Sequence, residues 1–114
     1  MKLGVFDRLV LLSVLPREGD LVSLRVVRDL QSVLSFTEAE HKELQFFEKD
    51  GKTHWARQAD KNVNVEFGEK AREIILGRFK ELDEQKKLIT DHLPIYERFL
   101  ELADEPAALR AVEG

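Results

Sequence analysis

Three histidines, four serines and a large set of carboxylates are the side chains of this chain that could do chemistry, and their spacing assembles none of them into a site. His41, His54 and His92 fall in three different predicted elements, and no two have the i, i+4 spacing of a helical metal site. Ser13, Ser23, Ser32 and Ser35 lack the flanking glycines of a nucleophile elbow, and the six glycines never approach a phosphate-loop spacing. Glu38, Glu40 and Glu43, like Asp83 and Glu84, read as solvated helix faces, so no acid/base pair stands out. With no cysteine, disulfides, thiolate nucleophiles and cysteine-ligated zinc are excluded together. The expectation is a non-enzymatic protein with no catalytic, cofactor or metal residues.

Composition allows a folded core. Of 114 residues, 43% are hydrophobic and 35% charged, which fits one globular domain over residues 1–104, followed by a tail at 105–114 that frays. Basic residues number 18 against 22 acidic, a net charge of -4, so the chain as a whole has no pull toward polyanions. Only the stretch from Lys49 to Lys61 is locally basic. The apolar run Val10 to Leu12 is interrupted upstream by Asp7 and Arg8 and is followed by no small-residue cleavage site, so it reads as a core helix and not a signal peptide. Nothing approaches the roughly 20 apolar residues of a membrane span. A soluble, cytoplasmic protein that does not engage a membrane is expected.

The elements that must position any site follow from periodicity and capping. An almost wholly apolar helix over Gly4 to Leu15 is stopped by Pro16, with Asp7, Arg8 and Ser13 as its polar side. Asp20 caps a second helix, Leu21 to Leu34, and Thr37 with Glu40 forms a capping box for a short third, Glu38 to Leu44. Asp50-Gly51 is the signature of a type I′ turn, which pairs Lys49 with Lys52, Glu48 with Thr53, Phe47 with His54 and Phe46 with Trp55. Val63, Val65 and Phe67 alternate with polar residues as a further strand. A long helix over Glu69 to Leu88, with Lys86 and Lys87 in its last turn, precedes a final helix capped by Thr90 or Asp91 and ended by Pro106. The fold class is α+β: a mainly helical single domain with a small antiparallel sheet, either the hairpin alone or three strands with Val63 to Phe67 added.

Three helices followed by a hairpin resemble, over residues 4–57, the element order of a winged helix. That resemblance implies DNA contact through Glu38, His41, Lys42 and Gln45 on the third helix, and through Lys49, Lys52, Arg57 and Lys61 on and after the wing. The glutamates of that helix oppose a phosphate backbone, and basic hairpin residues also serve to keep edge strands apart. The segments FDRLVLLSVLPREGD, SFTEAEHKEL and VEFGEKAREII resemble small uncharacterised proteins of bacteriophages and prophages. This second resemblance implies a setting, a bacterial host cell or a virion, and no activity. The function expected is a protein-interaction module of phage type. It would bind a host or phage protein, or a second copy of itself, with Phe47, His54 and Trp55 as anchors. A winged-helix DNA-binding regulator is the alternative.

Overall fold

The computed structural model of the chain describes residues 1–103. The first three helices begin where their caps dictate. Helix α1, Val5–Val14, has two of its orphan backbone donors satisfied by carboxylates: Gly4 N–H donates to Asp7 Oδ2 at 3.0 Å and Val5 N–H to Asp60 Oδ1 at 3.1 Å. At its other end Arg78 Nε donates to the Val14 carbonyl, before Pro16 turns the chain away. In helix α2, Leu21–Leu34, Asp20 accepts from the Ser23 amide at 2.8 Å. Helix α3, Glu38–Leu44, carries the expected capping box, with Thr37 N–H donating to Glu40 and Glu40 N–H to Thr37 Oγ1, and ends at Gln45 in the left-handed region.

Strands β2, Phe47–Lys49, and β3, Lys52–His54, form the hairpin in the expected register. Asp50 and Gly51 have φ of 54° and 74°, as a type I′ turn requires. Phe46 and Trp55 lie just beyond the ladder with ring centroids 6.5 Å apart, so the expected aromatic contact forms without backbone pairing. The return strand instead passes its next amide, Ala56 N–H, to the Leu44 carbonyl at the end of α3.

The expected strand at Val63 to Phe67 is reduced to β4, Val63–Asn64, and it does not join the hairpin. It pairs antiparallel with an N-terminal strand β1, Lys2–Leu3, giving two separate two-stranded sheets. A 3-10 turn at Arg57–Ala59 carries the chain off the hairpin edge, and the N-terminal ammonium group donates to the Val65 carbonyl while Val65 N–H donates to the Met1 carbonyl. Helix α4, Glu69–Glu84, stops before the expected Leu88. Lys86 takes φ of 57°, letting its amide reach the Asp83 carbonyl and that of Lys87 the Leu82 carbonyl, a Schellman ending built on lysine instead of glycine. Lys86 and Lys87 therefore follow the helix. A 3-10 turn at Thr90–His92 leads into helix α5, Leu93–Ala103, and the cap is neither Thr90 nor Asp91: His92 Nδ1 accepts from Ile89 N–H at 3.2 Å. Pro106 and the tail at 105–114 lie outside the described residues.

These elements pack as an α+β domain around a main core shared by α1, α2, α4 and α5, with Leu3, Leu11, Leu34, Ile75, Phe79 and Phe99 fully buried. Phe79 stacks on Tyr96 at 4.8 Å, and Arg98 of α5 donates to Asp7 and to the Lys2 carbonyl, closing α5 over the N-terminus. A second, smaller cluster sits under the hairpin: Val5, Leu44 and Trp55 are buried, with Leu9, Phe36, Phe46 and Ala59 against them.

Candidate functional site

What positions the hairpin is polar. Arg8, expected on the wet side of α1, is 2% exposed. Its guanidinium donates to the Leu34 carbonyl at 3.0 Å and the Ser35 carbonyl at 2.6 Å, grips both carboxylate oxygens of Glu40 at 2.6 and 3.2 Å, and lies 3.9 Å over the Phe36 ring. One side chain thus satisfies the end of α2 and the start of α3 and fixes both to α1. The Arg8 hydrogen bonds hold the Glu40 carboxyl at about 2, well below its usual 4.5, helped by Thr37 and opposed by burial. Asp60 is the second tie: besides capping α1 it accepts from Trp55 Nε1 at 3.2 Å, locking the hairpin's only tryptophan to the helix start.

Between the fixed hairpin, α1 and the turn before α5 runs an open groove of about 550 Å³. Phe6, Leu9, Val10 and Trp55 give it an apolar lining, and Lys52, His54 and Arg57 line it from the hairpin side, across from Asp91 and His92. The Arg57 guanidinium lies 4.0 Å over the Trp55 ring, so its charge stands on an aromatic platform. Phe6 and Ile89 remain 39% and 55% exposed, so the groove has unspent apolar surface both on α1 and just before the Thr90–His92 turn.

The residues singled out from the sequence divide in three. His54, Trp55, Lys52 and Arg57 come together in the groove. Phe47 stands beside it, 53% exposed, and stacks on the His54 ring at 5.1 Å, which sets that ring's orientation. Lys49 is on the outer strand opposite Lys52, whereas Lys61 belongs to a different crevice, where Glu40 and Glu43 line the wall with it. Trp55 is 7% exposed, so most of the ring serves the small cluster. Glu38, His41 and Lys42 of α3 are exposed, as is Gln45, which caps the helix and is not on it, and the His41 ring lies 5.5 Å from Phe46. His92 is buried against Phe79. Sequence reasoning missed Phe6, Ser13, Ile89, Asp91 and His92 as parts of the same surface. A signal existed for two of them, since Phe6 and Ser13 lie with Leu9 and Val10 at i, i+3, i+4 and i+7 on one stripe of a helix too apolar to have a single buried face.

Among the described residues no cluster of three histidines, cysteines or carboxylates could hold a metal ion, and no helix is long and apolar enough to cross a membrane. No family model matches the chain, and no curated protein or solved structure matches it significantly.

Proposed function

We propose that the chain is a non-enzymatic protein-interaction module whose hairpin groove takes a short segment of a partner protein, a host or phage protein in an infected bacterial cell. The observation that carries this is the pairing of an apolar lining with a basic hairpin side: Phe6, Leu9 and Trp55 below, Lys52 and Arg57 alongside, in a molecule whose net charge is negative. Such a surface selects an apolar anchor flanked by acidic residues. The anchor contributes affinity by leaving water, and the charges contribute association rate and specificity. Phe47 supports the arrangement through its stack on His54.

The DNA-binding alternative draws on Lys49 and Lys52 facing each other at the hairpin tip. Against it stand the acidic first turn of α3, Glu38 and Glu40, and the placement of Lys61 among glutamates. A pull-down from host lysate with and without nuclease, using wild type and Arg57→Glu, separates the two. The protein-binding reading expects a partner that survives nuclease and is lost with the variant. Capture that vanishes with nuclease would move the assignment to nucleic acid, and capture indifferent to Arg57→Glu would remove the groove from it.

A further inference from the structure

Helix α2 buries Val27, Leu30 and Leu34 and turns a second apolar stripe outward. Val22, 60% exposed, and Val33, 54% exposed, stand with Val26 and Asp29 at i, i+4, i+7 and i+11, the spacing of one helix seam, and Leu21 flanks them at 65% exposure. Beside the seam an apolar groove of about 370 Å³ runs between α2 and the start of α4, with Val26, Val33, Val65 and Ala71 in its walls. Arg25 and Asp29 are both exposed, and among the described residues neither forms an ion pair.

We propose that this face binds a second copy of the chain, with the two α2 helices antiparallel across a two-fold axis. The seam is self-complementary in that direction. Alternate positions of an antiparallel seam oppose each other, so Val22 meets Val33 of the second copy, and Val26 meets Asp29 of the second copy, which then lies within reach of Arg25 of the first. Each contact is made twice. A parallel pairing sets Asp29 against its own copy, two like charges on one seam, and is disfavoured. The groove along Val26 and Val33 takes up the Val22 side chain at the far end of the other helix. This surface is separate from the hairpin groove, so a module of this kind presents two docking grooves per particle.

The test is sedimentation equilibrium of the full chain over a wide concentration range. A concentration-dependent dimer is expected, weakened at least tenfold by Val22→Glu and restored by Val22→Glu combined with Val33→Lys, which places an opposite charge across the axis at both ends of the seam. Because the chain has no cysteine, single introduced thiols report the direction of pairing independently of charge. In the antiparallel dimer the two copies of position 26 are offset by three residues, about 4.5 Å along the axis, and those of position 33 by eleven, about 16 Å. A disulfide tolerates a Cα separation of at most about 7 Å. Val26→Cys should therefore cross-link under oxidation and Val33→Cys should not. A monomer at every concentration, a dimer indifferent to Val22→Glu, or ready cross-linking through Val33→Cys would each overturn the proposal.

Discussion

The two hydrophobic clusters of the described residues are held in different ways. The main core draws on four helices and the β1–β4 pair, and its buried residues are almost all aliphatic or aromatic side chains in mutual contact. The hairpin cluster has three buried residues, Val5, Leu44 and Trp55, too little apolar surface to fix a hairpin by hydrophobic burial alone. Its placement depends on two side chains outside it, Arg8, which donates hydrogen bonds to the start of α3 and the end of α2, and Asp60, which accepts one from Trp55. The candidate groove follows the seam between the regions, with Val10 contributed by one and Trp55 by the other. A rigid wall beside a wall held by a few polar ties is a surface that can adjust to a partner without unfolding the domain.

Breaking either side separates the two. The largest effect is expected from Phe79→Ala, which opens a cavity where Phe79 stacks on Tyr96: a loss of about 4 kcal/mol, seen by chemical denaturation as one cooperative transition in far-ultraviolet circular dichroism and tryptophan fluorescence alike. Arg8→Ala should cost about 3 kcal/mol, because it leaves two carbonyls and a carboxylate without their donor. It should also change the acid response. The folded-state pKa of Glu40 is depressed, so the stability it contributes is present above its ordinary value near 4.5 and is lost as pH falls toward about 2. Denaturation midpoints measured down that range should fall steeply in wild type and less so in Arg8→Ala.

Smaller changes sharpen the contrast. Asp60→Ala removes the acceptor of both Val5 N–H and Trp55 Nε1 and should cost about 1–2 kcal/mol. Since Trp55 is the chain's single tryptophan, its emission reports the hairpin cluster alone and should shift before the far-ultraviolet signal does. Coincident transitions would mean that the clusters open as one unit. The smallest effect has the opposite sign: Lys86→Gly should stabilise by about 0.5–1 kcal/mol, because the left-handed residue ending α4 is free of strain only in glycine.

Legibility in the sequence followed the range of the interactions. Helix α2 was readable to the residue because Asp20 and the apolar pattern up to Leu34 are local signals, and the hairpin register because Asp50-Gly51 dictates it. Strand β1 was invisible: two residues carry no period, and Lys2–Leu3 becomes a strand only when residue 63 arrives. The end of α4 was misplaced because the residue that stops it is a lysine, which by type belongs inside a helix. Arg8 was misplaced for the same kind of reason, since polarity assigns it to water while the carbonyls of Leu34 and Ser35 that receive it are 26 and 27 residues away. At the candidate site the hairpin residues were readable, and their neighbours from α1 and the Thr90–His92 turn were not, because tertiary packing alone places Phe6 and Ile89 beside Trp55 and Arg57.

The central claim, that the hairpin groove recognises an apolar anchor flanked by acidic residues, is tested most directly by selecting binders from a random peptide library on the immobilised wild-type protein and on Arg57→Glu. Enrichment of sequences with an aromatic or aliphatic residue between aspartates or glutamates, lost on the variant, is the predicted result. No enrichment on wild type, or the same sequences recovered from both proteins, would contradict it.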